Sequence, residues 1–314
     1  MSAVTGIHHV TAMASRPQPN LDFYVGRLGM RLVKRSVNQD DPGTYHLFYA
    51  DGVGTPGTDL TFFPWLHIAP PRRGSAEIAE VALAIPPDTR GAWRARLERA
   101  GASGLGEEDR FGERALSFAD PDGLPVALVE SDDARDFVPW ARGPVDTAEQ
   151  VRGLHAVRVR VRDAAPTRAV LTDVLGLVEV GHEDGWVRFA AGDGGSGTLI
   201  DVREDADAPP ARLGRGSIHH VAWRVPDDPA QAAVRQALLR EGLQPTPVID
   251  RFWFRSVYFQ EPGGTIFEIA TDGPGFGVDE DTERLGETLV LPPWLEDDRP
   301  RIEAVLPPIE MPVS

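Results

Sequence analysis

Ile7-His8-His9-Val10 and Ile218-His219-His220-Val221 are one tetrapeptide written twice in a chain of 314 residues. Each copy opens a stretch with a common plan. After the first, a strand-like run over 7–13 leads to a helix over 20–28, with Asn20 as the expected N-cap and Gly29 as the stop, and then to strands at 31–37, 45–50 and 59–63. After the second, a strand at 218–225 precedes a helix at 229–241 ended by Gly242. Strands at 255–260 and 265–270 follow, around the turn Glu261-Pro262-Gly263-Gly264. Two stretches between them repeat the plan without the histidine pair, at 77–130 and at 154–202, the former with a turn at Asp120-Pro121-Asp122-Gly123. Four βαβββ units result.

Single helices alternating with hairpin-like strands predict an α+β fold with mixed sheets, each curled around a cavity. The length suits two domains. Residues 131–152 are rich in Asp, Pro and Gly and poor in periodic apolar positions, so a boundary is expected there. The expected division is 1–135 as an N-terminal pair of units, 136–152 as linker, 153–275 as a C-terminal pair and 276–314 as an extended, proline-rich tail. Trp294 and Leu295 suggest that the tail docks.

Composition removes several classes of function. With 48 acidic against 32 basic side chains the formal charge is −16 and no basic stripe offsets it, which argues against nucleic acid. No run approaches the ~18 apolar residues of a membrane span, and the start lacks the flank and core of a secretory signal, so the expected location is the cytoplasm. Without cysteine there is no disulfide framework, no thiolate metal site and no thiol nucleophile. Any metal must be held by nitrogen and oxygen. Self-association is compatible with the sequence and is not decided by it.

Four of the eight histidines sit in the repeated tetrapeptide. Neighbours on a strand face opposite ways, so one imidazole of each pair can enter a cavity. Glu268, between Phe267 and Ile269, is a carboxylate in an otherwise apolar strand, costly unless paired or metal-bound. His9, His220 and Glu268 together make the two-imidazole, one-carboxylate set that suits non-haem Fe(II), with Mn(II) as the second choice, and leaves positions open. Aligned on these positions, the middle units offer Glu80, Ala156, Ala127 and Asp201, an incomplete set. Chemistry is therefore expected in units one and four.

At this point the chain resembles the vicinal oxygen chelate superfamily and, within it, the hydroquinone-type ring-cleaving dioxygenases. The likeness spans about residues 5–276 and rests on GIHHVT, DFYVGRLGMRLVKRSVNQDD, YHLFYADGVGTPGTDLTFFPW, SIHHVAW and, most specific, DRFWFRSVYFQEPGGTIFEIATDGPGF. It implies His9, His220 and Glu268 as iron ligands, with His8, Thr11, His219, Arg251 and Tyr258 around them. Tyr258 would move a proton at a hydroxyl or peroxo oxygen, and Arg251 would stabilise negative charge. Substrate and co-substrate would be a small aromatic diol and O2. Strand alternation sits awkwardly with His8 and His219 also approaching the metal. An aromatic wall is expected from Phe48, Phe62, Trp223, Phe252, Trp253 and Phe254.

Three rival functions share this scaffold. A glyoxalase-like isomerase needs a fourth protein ligand, and Leu60, Thr61, Phe62 and Phe63 offer none. A non-catalytic binder of aromatic compounds or drugs would not need the three ligands. An extradiol catechol dioxygenase would keep its ligands within one domain, where His155 stands one residue away from the required place.

Overall fold

The computed structural model describes residues 4–133 and 135–312. Unit one supplies β1 (Gly6–Ala14), β2 (Arg31–Asn38), β3 (Asp41–Ala50) and β4 (Asp59–Pro64). Unit two supplies β5 (Glu77–Ile85), β6 (Ser103–Arg110), β7 (Glu113–Ala119) and β8 (Pro125–Glu130). Unit three supplies β9 (Gly153–Val161), β10 (Val178–Glu183), β11 (Trp186–Ala190) and β12 (Leu199–Glu204). Unit four supplies β13 (Ile218–Val225), β14 (Ile249–Asp250), β15 (Arg255–Gln260) and β16 (Ile266–Thr271). They form two mixed sheets of eight strands, β14-β15-β16-β13-β1-β4-β3-β2 and β10-β11-β12-β9-β5-β8-β7-β6. The α+β class is as expected.

The pairing of units is not. Unit one joins unit four through β1 and β13, and unit two joins unit three through β5 and β9. The expected halves, 1–135 and 153–275, are thus each divided between the two sheets. In every unit the first strand has its own unit's last strand on one side, which leaves the other edge open, and nothing in chain order says which open edge will fill it.

Local details differ for identifiable reasons. The first helix, α1 (Pro17–Leu21), continues as a π-helical turn over Asp22–Arg27. Asn20 is not its cap: it is buried inside the helix, where its Oδ1 accepts from the Tyr49 hydroxyl at 2.9 Å. Pro17 starts the helix, because its ring presets a helical φ. The other unit helices are α2 (Arg90–Arg99), α3 (Ala164–Ala169) and α4 (Asp228–Arg240). Strand β6 escaped sequence reading because it is largely exposed and charged, and β14 because it has only 2 residues. The tail is not simply extended. It folds short 3-10 turns and α5 (Arg299–Val305), whose Ile302 packs with Val37 and Leu291. Among the described residues no helix is long and apolar enough to cross a membrane.

Each strand of the first sheet has a core face and a cavity face. Tyr24, Tyr49 and Phe62 stack in the core with ring centroids 4.5–5.9 Å apart. The turn of unit two is tied to this cluster: the Tyr24 hydroxyl donates to Asp120 Oδ2 at 3.1 Å, while Asp120 Oδ1 accepts from the N–H groups of Asp122 and Leu124, each at 2.8 Å. Burial pushes the Asp120 carboxyl up from 3.8 to about 6. The folded chain therefore holds this proton more tightly than the unfolded one, and the stability from that difference is full below about pH 4 and lost as pH rises through about 6. Asp120→Asn removes the titration, so the stability of the parent relative to this variant, measured by urea unfolding, should fall across that window; a flat difference would contradict the assignment.

Candidate metal centre

The pairing of β1 with β13 explains how the histidine pairs work. On β1 the register steps from Ile7 opposite Trp223 to His9 opposite Ala222, so His8 is an extra residue. On β13 it steps from His220 opposite Thr11 to Ile218 opposite Ala12, so His219 is extra. Each pair thus straddles a β-bulge, which re-aims side chains that simple alternation would send to opposite faces. The awkwardness of His8 and His219 disappears. His8 Nδ1 lies 2.9 Å from His9 Nδ1, and His219 Nδ1 lies 2.8 Å from His220 Nδ1.

The outer nitrogens of His9 and His220 meet these neighbours, and the inner nitrogens meet each other. His9 Nε2 and His220 Nε2 are 3.3 Å apart and stand 3.2 and 3.0 Å from Glu268 Oε2. All three residues are buried, and among the described residues no other His, Asp and Glu cluster is arranged to hold an ion. Ser256 donates to Glu268 Oε1 at 2.5 Å, whereas Oε2 has no hydrogen-bonding partner. A triangle of this size fits a divalent ion: ligand atoms ~2.1 Å from a common centre lie ~3.0 Å apart at right angles and ~3.4 Å apart in a tetrahedron.

The electrostatics point the same way. Burial works against charge on Glu268, but the facing His9 and His220 outweigh it and hold the carboxyl well below its usual range. His220 is shifted down, chiefly by burial and against the pull of Glu268. Burial, then the neighbouring imidazole, takes both His8 and His219 down to about 3. Neutral at ordinary pH, each can accept the Nδ1–H of the next histidine, an arrangement that would leave the Nε2 lone pair available to an ion.

Tyr258 sits opposite Glu268 on β15, its ring 5.6 Å from that of His220. Burial, reinforced by Glu268, raises its pKa. The Arg251 guanidinium lies 5.4 Å from the centre of the Tyr258 ring, with Nε 3.4 Å from its hydroxyl, and is held by Asp40 Oδ2 at 2.8 Å. Thr11 pairs with His220 across the ladder, but its hydroxyl is not hydrogen-bonded to the triad among the described residues. Its hydroxyl meets that of Thr61 at 2.8 Å, and Thr61 meets His46 Nε2 at 3.0 Å. Thr61 takes the place in unit one that Glu268 takes in unit four, since Thr11 pairs with Thr61 as Ala222 pairs with Glu268. A fourth ligand is therefore missing from its structural position.

Above the triad a narrow cleft leaves a cavity of about 30 Å³. Phe48, Trp253 and Phe254 line it, as expected. Phe62 and Trp223 do not: they alternate with the cavity-facing Thr61 and His220 on their strands and pack in the core, Trp223 on Phe267. Phe252 packs against Trp253 and Trp294 outside the cleft. Sequence reading missed His46, which lines the cleft with ring centroids 3.8 Å from Phe48 and 4.4 Å from Phe63. Its spacing of two from Phe48 on β3 was the available signal. Ser256, two before Tyr258, was missed in the same way.

The second sheet repeats the bulges at Ala79 and His155. Its carboxylates are held in ion pairs: Glu80 with Arg110, Asp201 with Arg188 and Arg158, and Glu113 with Arg188 and His155. Guanidinium groups there satisfy the carboxylates that an ion would need.

Comparison with known proteins agrees with this geometry. The model of the Glyoxalase/Bleomycin resistance protein/Dioxygenase superfamily matches residues 6–128 and 153–269. A Bacillus subtilis (strain 168) protein provisionally named ring-cleaving dioxygenase MhqA is 41% identical over 98% of this chain and 99% of its own. The chlorohydroquinone/hydroquinone 1,2-dioxygenase of Sphingobium indicum is 33% identical over 93% of both chains. A crystal structure of a Bacillus subtilis chain, provisionally described as a dioxygenase, superposes with a TM-score of 0.95 at 37% identity over 100% of both. Glyoxalase I from Zea mays shares the fold alone, with a TM-score of 0.63 at 15% identity over 85% of this chain and 92% of its own. The chain belongs to the Glyoxalase/Bleomycin resistance protein/Dioxygenase superfamily and groups there with the ring-cleaving dioxygenases.

Proposed function

We propose that the chain is an Fe(II)-dependent dioxygenase that opens the ring of a small hydroquinone-type diol with O2, and that His9, His220 and Glu268 hold the iron in preference to Mn(II). The observation that carries this reading is the buried, unpartnered Glu268 Oε2 facing two imidazole nitrogens, with Thr61 where a fourth ligand would stand. The name of the Sphingobium relative supports a para-diol. A bound Fe(II) supplies electron transfer between a ring oxygen and dioxygen. The proposed setting is the cytoplasm.

The chain's own groups do the rest. Tyr258, kept a neutral phenol by burial, carries a proton at its hydroxyl beside the triad and can give it to, or share it with, a ring oxygen. Arg251 behind it, fixed by Asp40, stabilises negative charge that develops on that oxygen. His8 and His219 lock the two ligand imidazoles in one tautomer and orientation. Thr11 acts at a distance, holding Thr61 and through it His46. His46 Nδ1 has no partner among the described residues, so it is free to orient the substrate's second hydroxyl. Phe48, Trp253 and Phe254 exclude water and stack on a flat ring.

Glu268→Gln should lose iron on desalting, read by metal analysis, and Ser256→Ala should weaken iron affinity by about tenfold to a hundredfold. A Glu268→Gln chain with a full complement of iron removes Glu268 from the ligand set. The reaction itself is tested by oxygen uptake of anaerobically iron-loaded protein given hydroquinone and catechol in parallel, with hydroquinone expected to be consumed faster. Tyr258→Phe should lower kcat by about 10²–10⁴, while His46→Phe should act mainly on KM. Faster turnover of catechol would replace the hydroquinone assignment, and no uptake with either would end the proposal.

A further inference from the structure

A second, roomier groove lies between the linker and the tail, with a cavity of about 300 Å³. Leu32, Leu285 and Met311 give it an apolar wall, and Arg31, Trp140 and Arg142 a polar one. None of these residues lines the cleft above the triad.

Arg31 is 7% exposed. Its guanidinium donates to the carbonyl oxygens of Gly52 at 2.6 Å, Glu283 at 2.8 Å and Leu285 at 3.4 Å. Arg142 donates to the same Glu283 oxygen, also at 2.8 Å. Two guanidinium groups thus meet on one carbonyl, and neither forms an ion pair with a carboxylate among the described residues. Burial, then the charge of Arg142, lowers the Arg31 pKa against the pull of Glu287, Glu280 and Asp51. Glu287, also in the lining, is bound to Arg284 at 3.0 Å. The indole N–H of Trp140 is buried without an acceptor. Elsewhere the buried guanidinium groups of Arg110 and Arg188 rest on carboxylates. A pair of guanidinium groups held on backbone carbonyls rather than on carboxylates, beside an apolar wall, suits an anion with a hydrophobic body.

We infer that this groove binds a small organic carboxylate, its charged end on Arg31 and Arg142 and its apolar body against Leu32, Leu285 and Met311. Breaking a ring carbon–carbon bond with O2 places one oxygen atom on each freed carbon, and the carbon that already bore a hydroxyl becomes a carboxylate. The product of the proposed reaction is thus a compound of this class. That link rests on the dioxygenase reading; the site itself does not.

The test is titration calorimetry of benzoate and hexa-2,4-dienoate into the full-length, chelator-treated chain and into Glu268→Gln, so that a carboxylate on iron cannot contribute. One saturable site per chain is expected in both, with benzamide silent. Arg142→Gln should weaken binding by about tenfold to a hundredfold, the loss of one hydrogen bond to a charged group. Met311→Trp, at an exposed position, should block the groove without disturbing the core. No saturation by ~10 mM, equal binding of benzamide, or unchanged binding in Arg142→Gln and Met311→Trp would overturn the inference. A chain that binds benzoate yet takes up no oxygen with either diol keeps this site and loses the reaction.

Discussion

Glu268 places a carboxylate, with no exposed surface, in the middle of an eight-stranded sheet, and one of its oxygens has no hydrogen-bonding partner. Such a charge costs several kcal/mol unless a cation compensates it. Among the described residues no lysine or arginine forms an ion pair with it. The groups that face it are two imidazoles whose outer nitrogens are already engaged by neutral histidines. Ser256 fixes the other oxygen and so determines the direction of the free one. A divalent ion bound at the three converging atoms would resolve this frustration at one stroke.

Convergence depends on the crosswise pairing of units. Each tetrapeptide lies on the first strand of its unit, and these two strands lie side by side at the centre of the sheet. Had neighbouring units shared a sheet, as chain order suggests, His9 and His220 would have stood in different cavities. The bulges complete the arrangement. A bulge keeps two successive side chains on one side of the strand, so the residue before each inward histidine becomes its hydrogen-bonding partner rather than part of the opposite face.

The sequence carried some of this and withheld the rest for physical reasons. The repeated Ile-His-His-Val and the isolated Glu268 were legible because charge or imidazole within an apolar strand stands out against its neighbours. The choice of partner strand was not, since an open strand edge carries no address in its side chains. The bulges were hidden because an extra residue alters pairing without altering composition. His46 and Ser256 were overlooked on strands whose alternation already placed them beside Phe48 and Tyr258. Phe62 and Trp223 were misplaced by treating aromatic character as a sign of the cavity, when the position of Thr61 and His220 on the same strands sends them to the core.

The two sheets show how little separates a metal cavity from a structural one. Both have the same strand order and the same pair of bulges, and both place carboxylates inward. In the first the groups opposite Glu268 are imidazoles, whose Nε2 atoms can offer lone pairs to an ion. In the second, Arg110, Arg158 and Arg188 supply fixed positive charge to Glu80, Asp201 and Glu113. A guanidinium satisfies a carboxylate at all pH values of interest and cannot itself bind a cation. Replacing imidazole by guanidinium therefore converts an incomplete charge set that demands an ion into a closed one that excludes it. Of two nearly identical frames, only the first thus brings together, among the described residues, an inward carboxylate and imidazoles rather than guanidinium groups.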